Sequence, residues 1–194
     1  MTTTRVLLIR HGQTPTTGVV LPGRAAGLHL SETGRQQAER VAVQLKERLS
    51  LIDAIFTSPL ERTRETAEPT ARVFGLEPVV DDAFVECDFG DWTGQKLTDL
   101  SKLPEWQTVQ KTPSQFRFPG GESFVEMQDR VVAGIESAAA QFPGGVVACF
   151  SHADPIKAAI THYRGVNLDE FQKAKADPAS VTVIEFAEGV GRVV

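Results

Sequence analysis

Short apolar runs alternate with longer amphipathic segments along most of this 194-residue chain. The first apolar run, Arg5–Ile9, reads as a buried strand. It is followed by "LSETGRQQAERVAVQLKERL", in which Ser31 is placed to cap a helix and apolar residues recur at spacings of three and four. Alternation of strand and helix is typical of α/β proteins with a largely parallel sheet. The pattern therefore predicts an α/β sandwich.

The later segments continue this alternation. Further strands are predicted at "DAIFTSP", "EPVVDDAFVE", "GGVVACFSH" and, as the last one, "ASVTVIEF". Helices are predicted at "LERTRETAEPTARVFG", "ESFVEMQDRVVAGIESAAAQF" and "DPIKAAITHY". Within the first of these, Pro69 is expected to kink the helix and Gly75 to end it.

The segment from about 89 to 121 departs from the pattern. It is rich in Gly, Pro, aromatic and polar residues, with only weak helical stretches. Irregular excursions of this length often cover a functional site. We therefore expect a single domain over residues 1–194, with a lid-like segment at about 89–121.

The composition indicates which binding partners are disfavoured and in which cell compartment the protein is expected. A formal net charge of −5 disfavours nucleic acid and anionic membranes as partners. Two cysteines supply neither a disulfide framework nor metal-ligand spacing, and they fit a reducing cytoplasm. The start "MTTTRVLLIRHG" lacks a signal-peptide core, and no run reaches transmembrane length, so a cytoplasmic location is expected.

Chemically distinctive residues follow the predicted strands. His11 comes directly after the first strand, and His152 directly after "VVACFS". In parallel sheets, ligands bind outside the carboxyl ends of the strands. A single histidine is more often structural than catalytic, but two at equivalent strand ends favour a site.

Arginines accompany these histidines. Arg10 adjoins His11, and "SPLERTRETA" supplies Arg62 and Arg64. Residues two apart on a helix point in different directions, so at most one of this pair is expected to face the strand ends. A guanidinium group suits phosphate, to which it can donate two parallel hydrogen bonds.

An acid follows "DDAFV" in the block "ECDFGDWTG". Glu86, Asp88 and Asp91 are its carboxylates, and Asp88 and Asp91 fit turn residues around Gly90. Glu86 lies nearest the strand end and is the candidate general acid for a leaving oxygen. Two histidines, two arginines and one carboxylate, with no metal-ligand cluster and no "GxxxxGK[ST]" loop, predict metal-free phosphoryl transfer.

The sequence closely resembles the histidine phosphatase superfamily, which includes the cofactor-dependent phosphoglycerate mutases. The resemblance rests on four blocks in order, "RHGQT", "SPLERTRETA", "ECDFGDWTG" and "SHADPIK", and it spans nearly the whole chain. It implies a three-layer α/β/α sandwich, phosphoglycerate mutase-like, with a mostly parallel sheet. It also implies a histidine acid phosphatase-type phosphoric monoester hydrolase, with no cofactor and no metal.

The resemblance implies roles for individual residues. His11 would be the nucleophile that becomes phosphohistidine, and Glu86 would protonate the leaving alcohol and then activate water. Arg10, Arg62 and His152 would hold the phosphoryl oxygens.

Weaker assignments concern the edges of this site. Thr14 matches the family threonine, and Thr17 would replace an asparagine contact that many mutases have. Arg24 and Ala153 are candidate substrate contacts; alanine stands where the family usually has glycine. Asp154 is expected to cap the "PIKAAI" helix. His29 and His162 are expected outside the site.

Three functions stay open at this level. A phosphatase acting on a small phosphorylated metabolite is favoured, because mutases of this type are typically longer and "FPGGES" resembles phosphatase-like members. The alternatives are a phosphoglycerate mutase-type phosphomutase and a non-catalytic phosphate-binding module. A charged rim would favour small acidic substrates, and an aromatic one bulky esters. A homodimer is neither predicted nor excluded.

Overall fold

Six strands form one sheet in the spatial order β3-β2-β4-β1-β5-β6 in the computed structural model, which describes residues 3–194. Residues 1 and 2 of the predicted domain lie outside the described residues. The strands are β1 (Thr4–Arg10), β2 (Ala54–Thr57), β3 (Val79–Val80), β4 (Val146–Ser151), β5 (Val181–Ala187) and β6 (Val190–Val193).

The sheet is mostly parallel, as predicted. Strands β3, β2, β4 and β1 run parallel to one another, whereas β5 is antiparallel to β1 and β6 is antiparallel to β5. Strand β1 is central and apolar on both faces: Val6 and Leu8 belong to one core cluster, Leu7 and Ile9 to the other. A strand buried on both faces reads as a continuous apolar run, which is why "VLLI" precedes the site.

Helices cover both faces of the sheet and complete the three layers. The helices are α1 (Glu32–Arg48), α2 (Glu61–Phe74), α3 (Leu97–Leu100), α4 (Trp106–Lys111), α5 (Phe124–Gln141) and α6 (Ala153–Tyr163). Apolar residues of α1 and α2 pack on one face, and those of α5 and α6 on the other. Within the described chain, no helix combines the length and apolarity needed to cross a membrane.

Local signals in the sequence fix several helix ends. The Ser31 side chain accepts a hydrogen bond from Gly34 N–H at the start of α1, as expected of an N-cap. Gly75 ends α2 with φ at 69°, a left-handed conformation that favours glycine. Pro69 lies inside α2, which continues through it to Phe74.

Two parts of the strand prediction were wrong. Of "EPVVDDAFVE", only Val79–Val80 is a strand, and Asp82–Phe84 forms a 3-10 turn because the Asp81 side chain caps it. "ASVTVIEF" is not the last strand, since β6 follows β5 after a turn through Glu188 and Gly189, both with positive φ.

The segment 89–121 contains short helices and an apolar cluster of its own. Besides α3 and α4, it has 3-10 turns at Gly90–Trp92 and Pro113–Gln115. Its aromatic side chains are buried against the start of α5 and against Phe171. The segment is therefore packed through a core cluster, although its sequence pattern is irregular.

The backbone after β1 crosses the start of α1 with no side chain between them. Gln13 carbonyl O accepts hydrogen bonds from Ser31 N–H and Ser31 Oγ, at 2.9 and 3.1 Å. A Cβ atom on Gly12 would overlap the Gly34 carbonyl, and a Cβ atom on Gly34 would overlap that of Gln13. Both glycines are thus required by close backbone approach.

This contact leads to a first prediction. Alanine is the better helix former by about 1 kcal/mol, so helix propensity alone would make Gly34→Ala stabilising. We expect the reverse, a loss of about 1–3 kcal/mol, because the new methyl group meets backbone that cannot move aside. Chemical denaturation measures the free energy of unfolding. Gln36→Ala, on the exposed face of the same helix, is the control and should change the free energy of unfolding by less than about 0.5 kcal/mol. A Gly34→Ala protein as stable as wild type would contradict the prediction.

Candidate active site

The carboxyl ends of three parallel strands bring the predicted site residues together. His11, Ser58 and His152 lie immediately beyond β1, β2 and β4. The His11 backbone N–H donates to Ser151 carbonyl O at 3.0 Å, which ties the ends of β1 and β4. The two imidazole rings meet edge to face with centroids 5.2 Å apart.

His11 is held with one ring nitrogen free. Its Nδ1 lies 2.7 Å from Gly12 carbonyl O, which can only accept, so Nδ1 carries the proton and Nε2 keeps its lone pair. Burial, followed by the charge of Arg62, lowers the pKa of His11 to about 3. The ring is therefore neutral at pH 7, as a nucleophile must be.

His152 is held by a serine that the sequence analysis missed. Its Nε2 lies 2.8 Å from Ser58 Oγ, and that oxygen accepts the Leu60 N–H at 3.3 Å. The Ser58 hydroxyl hydrogen is thus available to Nε2, which favours a proton on His152 Nδ1. That atom is buried without a hydrogen-bond partner, 4.0 Å from Glu86 Oε2. Burial and the charge of Arg62 lower the His152 pKa.

Two guanidinium groups have buried nitrogen donors that find no hydrogen-bond partner among residues 3–194. Arg62 has no exposed surface; its Nη2 donates to Gly23 carbonyl O at 2.7 Å, while Nε and Nη1 have no partner. Arg10 donates from Nη1 to Ala176 carbonyl O at 2.7 Å, and its Nε is also unpaired. Each unpaired buried donor costs roughly 1–3 kcal/mol unless a ligand accepts from it. The three donors together suit an oxyanion.

Glu86 is buried beside these cations and yet holds its proton. Its Oε1 accepts the Cys87 N–H at 2.9 Å. Burial, reinforced by the charge of Asp154, raises the Glu86 pKa to about 8, despite the opposing effects of Arg62 and Arg10. A carboxyl group that is protonated at neutral pH can act as a general acid.

Arg24 is exposed and holds the backbone of Glu86, and its assignment as a substrate contact stays a prediction. Its Nε donates to Glu86 carbonyl O at 2.8 Å, and its Nη2 to Glu122 at 3.2 Å. Glu122 also accepts from Arg130 at 2.9 and 3.0 Å. Arg130 Nη1 in turn donates to Val85 carbonyl O at 2.9 Å. The loop before Glu86 is thus clamped by two arginines that share one carboxylate.

Thr14, Thr17 and Ala153 lie at the cavity, next to His11 and the start of α6. The Thr14 backbone N–H donates to Thr17 Oγ1 at 2.9 Å, and the two hydroxyl oxygens lie 3.1 Å apart. Thr17 therefore closes the turn after His11. Its hydroxyl is already engaged with Thr14.

Asp154 is not the helix cap that the sequence predicted. The N-cap of α6 is His152, and Asp154 is the second helical residue, lining the cavity together with Lys157. His29 and His162 are both exposed: His29 pairs with Glu65, and His162 lies in the last turn of α6.

Asp88 and Arg64 also lie where the sequence analysis placed them. Asp88 accepts the Gly90 N–H at 3.0 Å, as a turn residue does. Arg64 is exposed, so Arg62 is the arginine of this pair that reaches the strand ends.

Several functional groups had no signal strong enough for the sequence analysis. Ser58 follows a strand, as His11 and His152 do, and this position could have identified it. The carbonyl groups of Gly23 and Ala176 have no signal in the sequence, because any residue supplies a carbonyl group. Glu122 was visible in "FPGGES", but its partner Arg130 is 8 residues away inside a helix.

Arg10, His11 and Glu86 line a cavity of about 370 Å³ together with Thr14, Thr17, Ala153 and Asp154. Arg62 and His152 are fully buried and are not among its lining residues, but the charge of Arg62 acts on His11. Among the described residues, no three His, Cys, Asp or Glu side chains are grouped so that they could hold a metal ion. The arrangement offers a neutral imidazole nucleophile, unpaired cationic donors and a protonated carboxyl group. Chemically, it can bind an oxyanion and exchange a proton with a bound alcohol or water.

Comparison with known proteins gives a family and named relatives. The family model for the histidine phosphatase superfamily (branch 1) matches residues 6–194. Phosphoserine phosphatase 1 of Hydrogenobacter thermophilus is 32% identical over 189 residues, which are 95% of this chain and 87% of the relative. A bifunctional protein of Mycobacterium tuberculosis is 34% identical over 194 residues, and there the chain spans 53% of the relative's length.

Solved structures share this fold across their whole length. Bacillus stearothermophilus YhfR superposes with a TM-score of 0.89 at 27% identity, covering 98% of this chain and 95% of that one. The mycobacterial glucosyl-3-phosphoglycerate phosphatase Rv2419c superposes with a TM-score of 0.84 at 25% identity, covering 99% and 96%. The expected three-layer α/β/α fold is confirmed.

The clamp around Glu86 leads to a second prediction. Glu122→Ala removes the carboxylate shared by Arg24 and Arg130, so the loop that carries Glu86 loosens and admits water. We expect kcat for phosphomonoester hydrolysis to fall about 10-fold with little change in KM. Hydration also lowers the Glu86 pKa, so the alkaline limb of the pH–rate profile should move to lower pH.

Glu136→Ala is the matched control, because Glu136 is an exposed carboxylate on α5. It should leave both kcat and the pH profile unchanged. A Glu122→Ala enzyme with lower stability but an unshifted alkaline limb would show that Glu122 has only a structural role.

Proposed function

The chain belongs to the histidine phosphatase superfamily, and from this premise we propose that it hydrolyses phosphomonoesters through a phosphohistidine formed on His11. The observation that carries the proposal is the free Nε2 of His11 beside buried guanidinium donors that have no protein partner. A small phosphorylated metabolite is the proposed substrate.

In the first step, the phosphoryl group is held by Arg10, Arg62 and Nδ1–H of His152. The lone pair of His11 Nε2 attacks phosphorus while the bond from phosphorus to the ester oxygen breaks. Glu86 gives its proton to that oxygen, so the alcohol leaves neutral. The fixed positive donors stabilise the charge that spreads over the phosphoryl oxygens in the transition state.

In the second step, the Glu86 carboxylate takes a proton from water, and the resulting hydroxide attacks the phosphoryl group. The phosphorus–nitrogen bond breaks, inorganic phosphate leaves, and both His11 and Glu86 return to their starting states. One side chain can act first as acid and then as base because its raised pKa lies close to the working pH.

The names of two relatives favour hydrolysis over a mutase reaction, in which the phosphoryl group would be transferred back to the substrate, since both are called phosphatases. The second candidate is a phosphoglycerate mutase-type phosphomutase, which would need a bisphosphorylated primer to load His11. A non-catalytic binding module is disfavoured because nucleophile and acid are both present.

The proposal predicts turnover that depends on His11 and survives a chelator. Purified protein assayed with a panel of phosphomonoesters should release phosphate equally with and without EDTA. His11→Ala should reduce the rate to background, because no second nucleophile lies in the same position, whereas His162→Ala, an exposed histidine, serves as control. Undiminished turnover by His11→Ala would disprove the mechanism.

A primer test separates the two enzyme classes. A phosphatase releases phosphate without any bisphosphate present. A mutase would show phosphoryl exchange between positions that starts only after a bisphosphate is added.

The Glu86 pKa predicts the alkaline limb of the pH–rate profile. Since the acid form is required and its pKa is raised from 4.5 to about 8, activity should persist through neutral pH. It should fall about 10-fold per pH unit above about 8. Glu86→Gln should lower kcat by about 100- to 1,000-fold and abolish this limb. A limb that stays in place in Glu86→Gln would assign it to another group.

A further inference from the structure

The cavity extends from the phosphoryl end into a chamber with apolar walls. These walls come from the segment 89–121, the start of α5 and the 3-10 turn after α6. Its aromatic members are Phe89, Trp92, Trp106, Phe118, Phe124 and Phe171. Since the phosphoryl group occupies the end with His11, this chamber receives the alcohol part of the ester.

The aromatic walls are packed against one another and are therefore rigid. Phe118 meets Phe89 edge to face with ring centroids 4.9 Å apart, and it meets Trp92 at 5.4 Å. Phe124 meets Phe171 in the same way at 5.0 Å. A preformed apolar surface of this kind binds apolar groups without first paying for its own ordering.

The two charged side chains of the chamber have opposite signs, and their arrangement disfavours an alcohol that carries a negative charge. Beyond the phosphoryl end, its charged lining residues are Asp154 and Lys157, one negative and one positive. The Lys157 Nζ already donates to Gln172 Oε1 at 3.0 Å and lies 4.0 Å from the Phe171 ring centroid. A carboxylate entering the chamber would lose its hydration and meet the negative charge of Asp154.

We propose that the chamber selects phosphomonoesters of apolar, uncharged alcohols over esters whose alcohol carries a carboxylate. This inference rests on the proposed function only in that the phosphoryl end fixes how the ester is oriented. Asp154 is the residue that discriminates against the anion, and Trp106, half-buried at the edge of the chamber, is part of the apolar surface that recognises the alcohol.

The test compares esters of similar intrinsic reactivity. 2-Phenylethyl phosphate, 3-phosphoglycerate and O-phosphoserine are all esters of aliphatic alcohols, so differences among them report on the chamber. We expect kcat/KM for 2-phenylethyl phosphate to exceed that for 3-phosphoglycerate by about 10-fold or more, mainly through KM. The preference over O-phosphoserine should be smaller, because Asp154 attracts the ammonium group of its serine part.

Two variants locate the selection. Asp154→Asn should reduce the ratio of kcat/KM between 2-phenylethyl phosphate and 3-phosphoglycerate by about 3- to 10-fold. A ratio measured within one protein cancels any effect of Asp154 on Glu86. Asp129→Asn removes the same charge from an exposed site on α5 and should leave the ratio unchanged. Trp106→Ala should also reduce this ratio of kcat/KM, because it weakens binding of 2-phenylethyl phosphate.

Equilibrium binding to His11→Ala, measured by calorimetry, separates this inference from the proposed function. If the wild type prefers an acidic ester, or if Asp154→Asn leaves the ratio unchanged, the inference is overturned and the phosphatase stands. If no ester is turned over but His11→Ala binds 2-phenylethyl phosphate more tightly, the phosphatase is overturned and the selective chamber stands. Tighter binding of the acidic esters without turnover overturns both.

Discussion

The site depends on buried positive charge that no carboxylate contacts within the described chain. Arg62 is fully buried, and the one hydrogen bond that its guanidinium group makes there is to the Gly23 carbonyl group, which orients the guanidinium without cancelling its charge. A carboxylate in contact would stabilise the folded protein but would fill the place of an anionic ligand. Among the neighbouring groups, both histidines have lowered pKa values and Glu86 has a raised one. Asp154 is the exception, a carboxylate lining the cavity whose charge partly offsets the lowering of the Arg10 pKa by burial. In the unliganded protein, burial of these cations destabilises the fold, and binding of an anion would offset that loss of free energy.

The environment of Glu86 illustrates how competing effects set one pKa. Two arginines favour its ionised form, whereas burial and Asp154 favour the protonated form and prevail. The side chain can be desolvated so fully because its backbone is held from outside the cavity, by Arg24 and Arg130 through the shared Glu122. The position of Glu86 thus depends on hydrogen bonds that arginines distant in the sequence make to the backbone of Val85 and Glu86.

The sequence predicted the parts of the site that local pattern controls. His11 and His152 could be placed because each lies just after a buried strand, and parallel strands end at one edge. Arg62 could be placed because it lies in the first turn of the helix that follows β2. The hydrogen bond from Arg24 to the Glu86 backbone could not be predicted, because the two residues are 62 positions apart and chain direction in a loop is not encoded in neighbouring residues. The predicted start of α6 was two residues late, since His152 and not Asp154 occupies its N-cap. Strand β6 was missed because its four residues, "VGRV", are half exposed and weakly patterned.

The backbone contact between Gly12 and Gly34 has a consequence for redesign of this enzyme. Most active-site loops can be retuned by exchanging the side chains beneath them, but here main chain lies directly on main chain. The height of His11 above the sheet is consequently set by the path of α1. Altering it requires moving a helix, so point substitutions of the surrounding side chains will leave the position of His11 as it is.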